Sequence, residues 1–214
     1  MSMTKEMTSG KPYKLILSFA IPLILGNVFQ QLYNMVDTVI VGKFVGVNAL
    51  AGVGSTGAIN FLVIGFALGI CSGFSIMIAQ RFGAGDYSGM RKFIANSIYL
   101  CIAVAVILTA VTMLLTKPIL TVMNTPKEIY DYAYNYIIII FAGISATMFY
   151  NILSGILRAV GDSRTPLIFL GVSSVLNVGL DLLCIIVFKM GVAGAGIATV
   201  ISQAISAFLC LIYI

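Results

Sequence analysis

Histidine and tryptophan are both absent from this chain of 214 residues. The absence of histidine removes the side chain that most often shuttles protons near neutral pH and most often binds metals. Cysteine is scarce, and the four cysteines, Cys71, Cys101, Cys184 and Cys210, all lie in apolar stretches and never in a CxxC pair. We therefore interpret them as small buried hydrophobic residues rather than disulfides or zinc ligands.

Charge is also scarce. Only 9% of the residues are charged and 60% are hydrophobic, whereas a soluble domain carries about 25% charged residues. A lipid bilayer is therefore the natural solvent of this chain. We assign the net charge of +5 to loop lysines and arginines that face the cytoplasm and anionic lipid headgroups. Membrane lipids are then expected partners and nucleic acid is not.

Long apolar runs define the organisation of the chain. A helix needs about 20 apolar residues to cross the hydrocarbon core, and six segments qualify. The sequence predicts an all-α integral membrane fold, in which six transmembrane helices in residues 15–214 form one bundle after a polar, cytoplasmic segment, residues 1–14. The predicted spans are 15–42, 50–80, 92–116, 129–157, 166–188 and 192–214.

The basic residues predict the orientation, because cytoplasmic loops are enriched in lysine and arginine. With the N-terminus inside, eight of them are cytoplasmic and four are outside, so we expect both termini in the cytoplasm of a multi-pass plasma-membrane protein. The cytoplasmic set is Lys5, Lys11, Lys14, Arg81, Arg91, Lys92, Arg158 and Arg164, and the outer set is Lys43, Lys117, Lys127 and Lys189.

Two of the seven acidic residues, Asp37 and Asp181, fall inside predicted spans. A charge at mid-helix costs about 2.5–3.5 kcal/mol even on a lenient insertion scale, so such residues usually serve function. Asp37 precedes Lys43 by six residues and Asp181 precedes Lys189 by eight. At the helical rise these separations are roughly 9 Å and 12 Å, which puts both acids at one level in the outer half of the membrane.

Two further polar residues fall near that level. Asn177 is one helical turn before Asp181, on the same face, and Thr199 in the sixth span lies at a similar depth. We therefore expect Asp37, Asn177, Asp181 and Thr199 to converge in one pocket. Oxygen ligands suit a hard cation or a proton, and two acids in a dry pocket titrate as a coupled pair. The pocket is thus a candidate site for a coupling ion, Na⁺ or H⁺, with no other cofactor and no catalytic residue expected.

Two other patterns predict local structure. The segment "RAVGDSRTP" (158–166) predicts a cytoplasmic turn with Asp162 within reach of Arg158 or Arg164. Gly65, Gly69 and Gly73 form a small-xxx-small ladder, which permits close contact between membrane helices.

The chain resembles the multidrug and toxic compound extrusion (MATE) family of efflux transporters. The resemblance lies in "IPLILGNVFQQLYNMVDTVIVG" (21–42), "AQRFGAGD" (79–86) and "SGILRAVGDSRTP" (154–166), in this order among six spans. It implies one six-helix lobe of a two-lobe, twelve-helix transporter that works by alternating access. The family's ion-site residues match Asp37, Asn177, Asp181 and Thr199.

The resemblance also implies a function. The chain is expected to be the N-terminal lobe of a cation-coupled (Na⁺ or H⁺) multidrug antiporter that exports small organic, often cationic compounds. Since the sequence stops at the sixth span, we expect a partner in a missing C-terminal lobe.

Three alternatives remain open at this point. A lipid-linked oligosaccharide flippase of the same superfamily needs a more cationic cleft, whereas the charges within these spans are acidic. An intramembrane aspartyl protease needs a Gly-x-Gly-Asp motif, and the nearest match is "AVGD" (159–162), where Ala159 replaces the first glycine. A passive channel is the third. We expect a transporter and not an enzyme.

Overall fold

The computed structural model describes residues 11–214, without the side chain of Pro12. This range is helical and contains no strand, so the all-α fold is confirmed. Most of the predicted polar segment, residues 1–14, lies outside the described residues. The elements are α1 (Pro12–Phe44), α2 (Val47–Ser55), α3 (Gly57–Gly83), α4 (Tyr87–Val122), α5 (Lys127–Ala142), α6 (Ile144–Ala159), α7 (Arg164–Leu182) with a π-helical extension (Leu183–Val187), and α8 (Val192–Tyr213).

Helix length and composition give the number of membrane crossings. Among the described residues, five helices (α1, α3, α4, α7 with its extension, and α8) are long and apolar enough to cross a bilayer. The pair α5 and α6 meets the same criteria jointly and bends by 44° at Gly143. If the bent pair is one crossing, the total is six, as the hydropathy pattern predicts.

The second predicted span, 50–80, is wrong in detail because it consists of two helices. The break lies at Thr56, which is fully buried and whose hydroxyl donates to the Val53 carbonyl at 2.7 Å. A threonine hydroxyl that bonds the backbone in this way competes with regular helix hydrogen bonding. Helix α1 contains Pro22 and continues through it as one helical run.

Several helices also extend past the predicted spans into polar sequence. Helix α4 starts at Tyr87 instead of residue 92, because the Asp86 carboxylate caps it by accepting from the Gly89 amide at 2.8 Å. A capping bond stabilises a helical turn whatever the hydropathy of its residues. The length of the apolar run therefore underestimates the length of the helix.

Helices α6 and α8 occupy the centre of the bundle. Helix α6 packs against α3, α4 and α8, and α8 packs against α5, α6 and α7. The largest fully buried side chains cluster around the α5–α6 bend and include Phe141, Ile144, Met148 and Ile152. Helix α1 lies at the edge and packs mainly against α7.

Glycine sets the distance between α2 and α5. A Cβ at Gly52 would lie 2.7 Å from the Tyr132 Cβ and 3.0 Å from the Ala133 amide nitrogen, so only glycine fits without a shift of backbone. The predicted ladder of Gly65, Gly69 and Gly73 does not pack in this way. None of the three would bring a Cβ within 4 Å of another helix in the described part of the chain.

The outer surface of the bundle is apolar. Large side chains such as Phe61, Leu114 and Val122 are 83%, 79% and 81% exposed. A soluble protein rarely exposes apolar patches of this extent, whereas lipid chains solvate them well. The bundle is therefore built for a bilayer.

Candidate functional site

The candidate site lies where α1, α7 and α8 meet. Helix α1 contributes Asp37, α7 contributes Asn177 and Asp181, and α8 contributes Thr199. The Thr199 hydroxyl donates to Asp37 Oδ2 across a long distance of 3.4 Å. The carboxyl groups of Asp37 on α1 and Asp181 on α7 are neighbours in this site. The four residues selected by depth therefore come together.

The two acids differ in how deeply they are buried. Asp181 is 0% exposed and Asn177 is 1% exposed, while Asp37 is half-buried. Both Asp181 oxygens, Asp37 Oδ1 and both polar atoms of the Asn177 amide are buried without a hydrogen-bond partner among the described residues. Buried polar atoms are nearly always paired. These unpaired atoms are therefore available to bind a water molecule, a proton or a small ion.

A narrow slot lies beside Asn177 and Thr199, and neither acid lines it. Its volume is about 10 Å³, and Tyr33, Asn177, Thr199 and Gln203 are among its lining residues. This volume is close to the smallest that holds one water molecule, so the slot admits a water or a small ion and excludes a drug.

Sequence reasoning missed Tyr33 and Gln203, which form a second polar layer below the acids. Gln203 Nε2 donates to the Tyr33 hydroxyl at 3.3 Å, and Gln30 Nε2 lies 3.5 Å from the same oxygen. Tyr33 is four residues before Asp37, and Gln203 is four residues after Thr199. Since residues four apart share a helix face, this spacing could have predicted the layer.

The donor set determines what the site can bind. Two carboxylates, an amide and a hydroxyl supply hard oxygen ligands, which suit Na⁺ or a proton rather than a soft transition metal. The described residues contain no cluster of three or more His, Cys, Asp or Glu residues that could hold a metal ion. Two adjacent carboxylates repel each other when both are ionised, so a proton or a cation between them relieves that repulsion.

Asp162 lies elsewhere, at the end of the bundle where α7 begins. It is within reach of Arg164, as the sequence predicts, but it bonds the backbone amide of that residue. Asp162 Oδ1 accepts from the amides of Arg164 and Thr165 at 3.1 and 3.0 Å, and Oδ2 accepts from the Thr165 hydroxyl at 2.6 Å. Its carboxylate therefore caps α7. It is also the aspartate of the "AVGD" segment, and these capping bonds occupy it.

Comparison with known proteins identifies the family. The MatE family model matches residues 22–183. The chain belongs to the MatE family. This match covers Tyr33, Asp37, Asn177 and Asp181 and the capped turn before α7. It ends before α8, which carries Thr199 and Gln203.

Curated relatives of this MatE chain include two bacterial proteins. The chain is 33% identical over 209 residues to "Probable multidrug resistance protein YpnP" of Bacillus subtilis, which covers 98% of this chain and 47% of that protein. It is also 33% identical over 198 residues to "Probable multidrug resistance protein NorM" of Thermotoga maritima, which covers 91% of this chain and 42% of that protein. The chain thus spans about half the length of the curated relatives it matches.

A solved structure gives the same proportion. A MOP superfamily transporter from Pyrococcus furiosus superposes with a TM-score of 0.92 at 29% identity, covering 100% of this chain and 47% of that one. The predicted architecture, a six-helix bundle that corresponds to one lobe of a MATE transporter, is therefore confirmed.

Proposed function

We propose that this chain is the ion-coupling lobe of a multidrug efflux transporter in the plasma membrane, with both termini in the cytoplasm. The family and the multidrug-resistance names of the relatives support export of small organic compounds. A second lobe, absent from this chain, would complete the transport path. The weak burial of α1 and its position at the edge of the bundle suit a helix that faces such a lobe.

The observation that carries the coupling proposal is that Asp37 and Asp181 are neighbours, while Asp37 Oδ1 and both Asp181 oxygens have no hydrogen-bond partner among the described residues. Leaving a buried carboxylate uncompensated costs several kcal/mol. A proton or Na⁺ removes that cost, with the Asn177 amide oxygen and the Thr199 hydroxyl as additional ligands. The site therefore binds one positive charge and releases it only at a cost.

Coupling follows from that cost. When the positive charge leaves, Asp37 and Asp181 repel each other, and the arrangement of α1 against α7 that holds them together becomes less stable. An ion shifts a conformational equilibrium by its difference in affinity between the two states. The bound ion then favours the conformation in which Asp37 and Asp181 lie together. Release of the ion favours a second conformation, in which the transported compound exchanges.

The test uses the complete protein that carries this chain, reconstituted into proteoliposomes loaded with a fluorescent organic cation. Efflux is driven by an imposed Na⁺ gradient in one arm and an imposed pH gradient in the other, which separates the two coupling ions. Asp37→Asn and Asp181→Asn should each abolish gradient-driven efflux and leave the protein content of the vesicles unchanged.

The matched control is Asp131→Asn, because Asp131 is an exposed acid on α5 outside the site. It removes the same charge and should transport normally. Unchanged efflux from both site variants would refute the proposal, and flux that ignores both gradients would indicate a passive channel.

A further inference from the structure

A second cavity lies at the end of the bundle where α1 begins, away from the acidic pair. Its volume is about 480 Å³, and α1, α3, α6 and α7 form its walls. Its apolar lining includes Phe19, Leu23, Leu68 and Leu167, and its polar lining includes Asn27, Ser72 and Arg158. A volume of this size and mixed character is typical of a small-molecule site.

Arg158 gives this cavity its charge. It lies in the last turn of α6, is half-buried and lines the cavity. The sequence places it at the start of a cytoplasmic turn, whereas the structure places it in the helix. Its electrostatic neighbours are Tyr150, Cys71 and Cys210, none of which is a carboxylate.

The acids that could neutralise Arg158 are engaged elsewhere. Asp162, the partner expected from the sequence, uses both carboxylate oxygens to cap α7. The ion pair found in the described part of the chain joins Arg81 to Asp86 at 2.9 Å. The guanidinium thus contributes an uncompensated positive charge to a partly enclosed space.

A half-buried cation without a carboxylate attracts an anion. Arginine presents a rigid fork of donors that matches carboxylate, sulfonate or phosphate oxygens in pairs. The amides of Asn27 and Gln30 also line the cavity and offer neutral donors on α1. The apolar walls would receive the remainder of an amphipathic molecule.

We propose that this cavity binds an amphipathic organic anion, with its anionic group on Arg158 and its apolar part against α1 and α7. The anionic group can belong to a soluble compound or to a lipid headgroup, since both present the same oxygens. The site is separate from the acidic pair, and its occupancy requires no coupling ion.

The test is a binding measurement with two matched dyes on the complete protein in phosphatidylcholine nanodiscs, with empty nanodiscs subtracted. The dyes are 8-anilinonaphthalene-1-sulfonate and N-phenyl-1-naphthylamine, which share a skeleton and differ in the sulfonate. Arg158→Gln should weaken binding of the sulfonate dye roughly tenfold, because a hydrogen bond to a charged group is lost, and should leave the neutral dye unchanged. Arg164→Gln removes the same charge at an exposed position and should change neither dye.

A second variant keeps the test decisive if Arg158→Gln fails to fold. Ala79→Phe fills the cavity from α3 while Arg158 remains, and it should weaken both dyes. Displacement of the sulfonate dye by 1-naphthoate indicates a soluble anion, and displacement by dihexanoyl phosphatidic acid indicates a headgroup. Equal affinity of the sulfonate dye for Arg158→Gln and the native protein overturns the proposal, as does displacement by neither competitor.

Discussion

Thr199 on α8 donates its hydroxyl to the carboxylate of Asp37 on α1, with 3.4 Å between the two oxygens. The two residues are 162 positions apart in the chain. Their contact joins the first and last helices of the bundle at the level of Asp181. It also gives Asp37 a neutral donor that Asp181 lacks among the described residues, so the two acids are not equivalent.

Replacing Thr199 by valine tests the contribution of this hydroxyl to ion binding. The variant keeps the shape of the side chain and removes one oxygen. We expect a loss of about 1 kcal/mol, which raises the coupling-ion concentration for half-maximal efflux about fivefold. The measurement is efflux from proteoliposomes over a series of Na⁺ concentrations or pH values.

The control for Thr199→Val is Thr38→Val. Thr38 is exposed next to Asp37, and its hydroxyl bonds the Asn34 carbonyl of its own helix at 2.8 Å. The ion dependence of this variant should match that of the native protein. An equal shift in the two variants would assign the effect to general loss of hydroxyls in the membrane.

Gly52→Ala tests the close approach of α2 to α5. The new methyl group would meet Tyr132 Cβ and the Ala133 backbone, which cannot move independently. Overpacking of this kind costs about 1–3 kcal/mol. The thermal unfolding midpoint of the detergent-purified protein should fall accordingly.

Gly54→Ala is the matched control on the same helix. No atom lies within 4 Å of its Cβ position in the described structure, and alanine favours a helix by about 0.5–1 kcal/mol over glycine. This variant should be as stable as the native protein or more so. Destabilisation of both variants would show that α2 tolerates no change at all, contrary to the packing described.

Asp162→Ala tests the cap of α7. The variant loses an acceptor for two amides and the Thr165 hydroxyl, and such caps contribute about 1–2 kcal/mol. Thermal unfolding should shift downward by more than for Asp131→Ala, which removes an exposed acid. A smaller loss for Asp162→Ala than for Asp131→Ala would contradict the capping role.

Asp86 provides a pH-dependent prediction outside the membrane. The Gly89 amide, and secondly the Arg81 guanidinium, hold the pKa of Asp86 below its ordinary value. A carboxylate with a lowered pKa in the folded state stabilises the protein above its unfolded pKa, about 3.9. That contribution disappears as the pH falls through the lower folded pKa.

Carbon NMR of the labelled Asp86 carboxyl group should therefore give a titration midpoint below that of an unstructured aspartate. Arg81→Gln should raise the midpoint without restoring the ordinary value, because the Gly89 bond remains. A midpoint at the ordinary value in the native protein would show that neither bond forms in solution.

The sequence predicts the helices well because apolar length and helix rise are properties of the chain alone. The same rise places Asp37 and Asp181 at one depth, and this is why counting residues selects two acids that meet in the fold. Depth does not give the rotation of a helix about its axis. For that reason the exposed ladder of Gly65, Gly69 and Gly73 could not be told from a packed one, whereas Gly52 was overlooked.

The hydropathy pattern also does not show which hydrogen bonds form in the folded chain. The buried hydroxyl of Thr56 divides a run that reads as one span, and the carboxylate of Asp162 bonds the backbone instead of an arginine. Both hydrogen bonds depend on which groups the folded chain brings close to each side chain. The pattern of charges along the sequence does not contain that information. The positive charge of Arg158 in its cavity is left without a carboxylate partner because Asp162 caps α7.

The bend at Gly143 has a consequence for the history of the fold. A methyl group there would collide with the stiff, β-branched side chain of Val200, the residue directly after Thr199 in α8. A larger residue at position 143 therefore requires that the side chain at position 200 shift or become smaller. The bend between α5 and α6 and the segment of α8 that carries Thr199 are therefore expected to change together.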